Sequence, residues 1–174
     1  MNKNVNKTNN IIILVTVLGM VFVLSLFLFV NIENNRVIKR NISEYQTEDT
    51  ADTVYEIKNI ESDTKGNVYI DGIFAVKGLS YDFFNYANDN HDKGVYAYYH
   101  FCLIYENEVY VMPTKLSEDN EINEMLNDGN NYRYSVFDAK VPKKYAEALN
   151  SFKRGIVSRS PDGKESIYIY GHQH

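Results

Sequence analysis

Twenty consecutive residues, Ile11 to Val30, carry no charge and depart from strongly apolar side chains only at Thr16, Gly19 and Ser25. Wound as an α-helix at about 1.5 Å per residue, such a run is about 30 Å long, the thickness of a bilayer's hydrocarbon core. No comparable run follows. The sequence therefore predicts a short N-terminal tail (1–10), a transmembrane helix (11–30) and a polar, tyrosine-rich remainder long enough for one domain.

The span reads as an uncleaved anchor. A secretory signal has an apolar core of about 7–15 residues followed by a small-x-small cleavage site, whereas here Phe29-Val30-Asn31-Ile32-Glu33 follows a longer core. No cysteine lies near its end to accept a lipid. Lys3 and Lys7 on one side nearly balance Arg36, Lys39 and Arg40 on the other. The short tail and the readiness of a long C-terminal domain to translocate favour a cytoplasmic N-terminus and an extracytoplasmic domain. A surplus of asparagine, isoleucine and lysine fits an AT-rich bacterial genome, so the expected setting is a bacterial cell membrane.

Of 18 basic residues, Lys3 and Lys7 precede the span, which leaves 16 against 23 acidic residues beyond it, a formal charge of −7. Such a surface repels phosphate backbones, so nucleic acid is excluded as an expected partner. Cys102 is the only cysteine, which rules out an intramolecular disulfide and a thiolate-rich zinc site. Its place in an apolar run predicts a small buried hydrophobe in a strand, the alternatives being an intermolecular disulfide or a nucleophile.

Residues 31–52 lack sustained periodicity and read as a polar juxtamembrane stalk, with Arg36, Lys39 and Arg40 as a solvated flank. From Thr53 the pattern becomes short runs rich in tyrosine, valine and isoleucine, broken by turn residues. Thr53–Ile60 alternates weakly. In Asn67–Val76, Val68, Ile70, Phe74 and Val76 share one face with Gly72 among them. Val95–Tyr105 is apolar or aromatic on both faces and reads as a central strand, turned by Glu106-Asn107-Glu108 into Val109–Met112. Ser117 is placed to cap a short helix bearing Ile122, Met125 and Leu126, Asn131–Lys140 returns to strand, and Pro142 opens a second helical turn. A final hairpin, Phe152–Arg159 and Ser166–Tyr170, closes through Ser160-Pro161-Asp162-Gly163. The expected fold is mainly β: residues 53–174 form an antiparallel β-sandwich of seven strands, immunoglobulin-like in architecture, with one or two short helices.

Chemistry-bearing patterns are sparse. Asn85–Gly94 offers oxygen ligands, and Asn88, Asn90 and Asp92 fall at positions 1, 3 and 5 of a calcium loop. Lys93 stands where the invariant glycine belongs and Tyr99 where the bidentate glutamate belongs, so these three are calcium candidates inside what is otherwise an ordinary exposed turn. No cofactor, metal centre or catalytic residue is expected. His172 and His174 share a face of an extended terminus without a third ligand, and His100 reads as a half-buried strand histidine. The serines lack a G-x-S-x-G setting, and no Walker A or G-x-G-x-x-G loop occurs. Fifteen tyrosines and no tryptophan supply flat apolar faces with polar tips. Tyr81, Tyr86, Tyr96 and Tyr98 are the candidate binding surface. The expectation is a membrane-held binding or accessory module whose partner is another envelope protein or a surface glycan. The alternative is a glycan hydrolase, which requires two carboxylates about 5–10 Å apart in a cleft.

Overall fold

The computed structural model describes residues 3–78, 98–160 and 163–171, which fall into two compact units, 1–36 and 37–174. The first is the helix α1 (Lys3–Asn34). Its segment Ile12–Ile32 is long and apolar enough to cross a membrane. The two hydroxyls inside that segment are satisfied within the helix: Thr16 Oγ1 donates to the Ile12 carbonyl at 2.9 Å and Ser25 Oγ to that of Val21 at 2.8 Å. Neither would leave an orphan donor in hydrocarbon. The helix outruns the apolar core at both ends, from Lys3 to Asn34.

The second unit is a β-sandwich. Its strands are β1 (Ile38–Asn41), β2 (Gln46–Glu48), β3 (Thr53–Ser62), β4 (Val68–Val76), β5 (Tyr98–Tyr105), β6 (Glu108–Val111), β7 (Thr114–Ser117), β8 (Val136–Val141), β9 (Lys153–Arg159) and β10 (Glu165–Tyr170). Two short helices, α2 (Glu121–Leu126) and α3 (Lys143–Ala146), interrupt them. Six strands form one sheet in the order β1-β6-β5-β9-β10-β2 and four form the other in the order β3-β4-β8-β7. Every described pairing is antiparallel except β2 with β10.

Alternation along the strands builds the core. Ile70 and Phe74 of β4, Phe137 and Ala139 of β8, Tyr99, Phe101 and Leu103 of β5 and Ile156 of β9 are wholly buried in one cluster. Phe101 stacks on Phe137 with centroids 5.9 Å apart, and Tyr99 meets Phe137 edge-on at 6.3 Å. Gly72 is required where β3 shifts register between Ile57 and Asn59. A Cβ there would lie 2.5 Å from the Glu56 carbonyl oxygen and 2.7 Å from the Phe137 ring, which covers the glycine.

The six-stranded sheet has a second apolar face. Cys102 and Ile104 of β5, Val109 and Val111 of β6, Val157 of β9 and Ile167 of β10 form it, with Tyr45 buried over them and Ile42 packed beside. Tyr45 and Ile42 lie between β1 and β2, which occupy opposite edges of the sheet. Five strand spacings of about 4.8 Å would separate those edges by about 24 Å in a flat sheet. The five steps from Asn41 to Gln46 reach at most about 18 Å fully extended, and three of the intervening residues, Ile42–Glu44, form a 3-10 turn. The sheet must therefore roll towards closure, and residues 42–45 cross its concave face as a strap. Arg40 of β1 and Glu165 of β10 form an ion pair between strands that the sheet order keeps apart. Asn41 and Glu44 cap the turn reciprocally, Asn41 Oδ1 accepting from Ser43 N and Glu44 Oε1 from Asn41 N.

Several expectations are corrected here. The stretch read as a stalk, residues 31–52, contains the end of α1 and supplies the two short edge strands β1 and β2. Those two strands and β7 bring the strands among the described residues to ten, in six and four, where seven were expected, and an immunoglobulin-like arrangement is not confirmed. Ser117 ends β7 and does not cap α2; Asp119 Oδ1 accepts from Glu121 N at 2.7 Å instead. Tyr132 and Tyr134 precede β8 in a turn closed by Ser135 N to the Tyr132 carbonyl, 3.0 Å.

Candidate functional site

Most residues singled out from the sequence fall outside the described ones: the calcium candidates Asn88, Asn90 and Asp92, and the binding candidates Tyr81, Tyr86 and Tyr96. Tyr98 opens β5 opposite Arg159. Cys102 is fully buried and burial pushes its thiol pKa up, so the thiolate is suppressed. The described tyrosines serve largely as core. Tyr99 and Tyr132 are wholly buried, and Tyr45, Tyr134 and Tyr168 nearly so. Among the described residues no group of three or more His, Cys, Asp or Glu side chains is placed to hold a metal ion.

A shallow depression is lined by Glu118, Asp119, Asn120, Asn131 and Arg133. Its polar groups are committed to the local fold. Tyr134 donates its hydroxyl to Glu118 Oε1 at 2.6 Å and Arg133 pairs with Oε2, and this hydrogen bonding holds the Glu118 carboxyl below its usual range. Asn131 Oδ1 accepts from Arg133 N at 3.1 Å, and Asn123 Oδ1 accepts from Tyr132 N at 2.5 Å. Beside them the Tyr132 hydroxyl donates to Asp128 Oδ2 at 2.6 Å and accepts from Gly78 N at 2.7 Å. The arrangement fastens α2 and the following turn to the sheet and leaves no activated nucleophile.

The four-stranded sheet brings two carboxylates together. Asn59, Asp71, Asp138 and Lys115 stand in one cross-strand row over β3, β4, β8 and β7. Directly opposed residues have Cα atoms about 4.5–5.5 Å apart. Burial, then the charge of Asp71, push the Asp138 carboxyl above its usual value, while Lys115 opposes that shift. Like charges in this register destabilise a sheet by a few tenths to about 1 kcal/mol. The described depression does not contain this pair.

The third grouping is aromatic. Tyr105, at the end of β5, is 46% exposed and its ring lies 5.8 Å from that of Phe152. Tyr110 of β6 meets Phe152 edge-on at 5.7 Å and Tyr145 of α3 at 5.3 Å. Lys39 Nζ lies 5.5 Å above the Tyr110 ring and 2.5 Å from Glu108 Oε1, and Lys144 Nζ lies 5.3 Å above the Tyr145 ring. The Tyr110 hydroxyl donates to Glu108 Oε2 at 2.6 Å. Lys39 and then Tyr110 hold the Glu108 carboxyl below its usual range. Aromatic faces rimmed by fixed charges of both signs suit recognition of a polar, partly apolar ligand. Sequence reasoning weighed Tyr105 and Tyr110 only among many tyrosines and passed over Tyr145 and Phe152, which lie 35 to 47 residues further along. The available signal was the placing of Tyr105 at a strand end beside the Glu106-Asn107-Glu108 turn. Comparison with protein-family models, curated proteins and solved structures gave no match.

Proposed function

We propose that this chain is a single-pass protein of a bacterial cell envelope whose C-terminal β-sandwich lies outside the cytoplasm and works as a binding or accessory module. The observation carrying this reading is the aromatic margin of Tyr105, Tyr110, Tyr145 and Phe152, rimmed by Lys39, Lys144 and Glu108. Its partner is another envelope protein or a surface glycan. The apolar helix confines the module to a membrane surface, where a modest affinity suffices because the local concentration of membrane-bound partners is high.

A photo-crosslinking side chain placed at position 105 in living cells tests the contact. A discrete adduct, or retention of the purified protein on envelope glycan that Tyr105→Ala reduces, is expected; absence of both refutes the reading. A reporter active only outside the cytoplasm, fused after His174, tests orientation, and silence refutes it. A second reading, glycan hydrolysis, draws support from the opposed Asp71 and Asp138, one of which is shifted towards the protonated form as a general acid requires. It predicts release of reducing ends from envelope glycan, abolished by Asp138→Asn, and it falls if wild type and variant are equally inert.

A further inference from the structure

His100 lies on β5 two residues before Cys102 and opposite Val157, on the concave face that the strap crosses. Its Nδ1 is buried and has no hydrogen-bond partner among the described residues. Around this face stand Arg159 of β9, Glu165 of β10, Arg40 of β1, Glu44 and Tyr45 of the strap, and Cys102 of its own strand. Glu165 is the charge that favours a proton on His100, and it is already engaged by Arg40. Glu44 is engaged in capping its own turn. Arg40 and Arg159 carry the same sign as an imidazolium.

We propose that residues 38–48 form an acid-released strap: protonation of His100 detaches them from the rolled sheet and uncovers its concave face. The cause is a conflict over one carboxylate. If Glu165 turns to a charged His100, Arg40 loses its partner and β1 its tie to β10. If Glu165 stays with Arg40, a charged half-buried imidazole is left with its buried Nδ1 donor unpaired, which is costly. Opening the strap hydrates His100 and removes either penalty. The backbone pairing that opposes release is short, since β1 pairs over four residues with one neighbour and β2 over three with one neighbour; the burial of Tyr45 sets the remaining cost. Burial, which disfavours the charged imidazole in the closed form, acts in the same direction.

Hydrogen exchange of the full-length protein in lipid nanodiscs at pH 7.5 and 5.5, corrected for intrinsic exchange rates, tests this. Peptides covering 38–48 are expected to open more at pH 5.5, by at most about tenfold. That ceiling follows from an ordinary histidine pKa of about 6.5 in the open form. Peptides in β4 and β8 are expected to keep their protection, and His100→Phe to abolish the acid response. Equal change in the strap and in β4 overturns the proposal, as does an acid response that persists in His100→Phe. Should that variant not fold, alkylation of Cys102 in the wild type, normalised to the denatured chain at each pH, decides. Faster labelling at pH 5.5 supports the strap, and an unchanged rate overturns it.

Discussion

Tyr55 carries the most direct test of the core. Its hydroxyl is buried without a hydrogen-bond partner among the described residues. Its ring stacks on Tyr170 at 3.8 Å between centroids with 8° between planes. The Tyr170 hydroxyl, in contrast, donates to Thr53 Oγ1 at 2.9 Å. Burial pushes both phenols up, that of Tyr170 to about 12. An unsatisfied buried hydroxyl costs about 1–3 kcal/mol. Tyr55→Phe removes that cost and keeps the stack, while vacating a space the size of one oxygen. We expect a net stabilisation of about 1 kcal/mol. Unfolding entropy of about 2.1 cal/mol/K per residue over residues 37–174 converts this to a rise in Tm of about 3–4 °C. Tyr170→Phe, an identical change on the other ring of the pair, is expected to lose about 1 kcal/mol because it orphans the Thr53 contact. Urea unfolding of both variants, read as a midpoint change at constant slope, makes the comparison. If Tyr55→Phe is destabilised as much as Tyr170→Phe, the account of Tyr55 as unsatisfied is wrong.

Other perturbations follow the same logic. Gly72→Ala drives a Cβ to 2.5 Å from a backbone oxygen that cannot swing aside, and is expected to lose about 3 kcal/mol in urea unfolding, with the Phe137 ring displaced. Tyr132→Phe strips a donor from Asp128 and an acceptor from Gly78 N. It is expected to lose about 2 kcal/mol and to speed exchange of the Gly78 amide. Acid weakens the domain in a second window, below that of His100. Asp63, Glu108, Glu118 and Asp128 all have carboxyls held below their usual values, chiefly by hydrogen bonds from Asn67, Lys39, Tyr134 and Tyr132 respectively. Their contribution is complete above the ordinary carboxyl range near pH 4 and is lost as pH falls through it. Thermal melts at pH 5 and pH 3 should therefore differ less in Glu118→Gln than in wild type.

The long apolar run and the interior strands were legible because each satisfies a local rule: helix length against bilayer thickness, or alternation against a two-layer core. The edges were not. Ile38-Lys39-Arg40-Asn41 and Gln46-Thr47-Glu48 look like a stalk because an edge strand shows charge on its outer face and needs few large apolar residues on the inner one. The true marker, Tyr45, is a single side chain whose burial depends on strands more than fifty residues downstream. Tyr132 and Tyr134 alternate as a strand would, yet Tyr132 is wholly buried and Tyr134 nearly so in a turn, because their hydroxyls reach Asp128 and Glu118. The opposition of Asp71 and Asp138, and the gathering of Tyr105, Tyr110, Tyr145 and Phe152, arise from register and layer packing. No local pattern encodes either.

The strap also sets an order of assembly. β1 and β2 are the first strands of the domain to be synthesised, yet among the described residues β2 pairs only with β10, the last strand there, and Arg40 meets Glu165 across 125 residues. The β2 edge of the rolled sheet cannot be finished until the final hairpin has emerged, and contacts of such separation form slowly. β1 can pair with β6 once residue 111 has emerged, but β2 must wait for its partner through almost the whole of synthesis. A chain that stops short of β10 would keep β1 on β6 but lose the partner of β2 and the carboxylate that Arg40 meets.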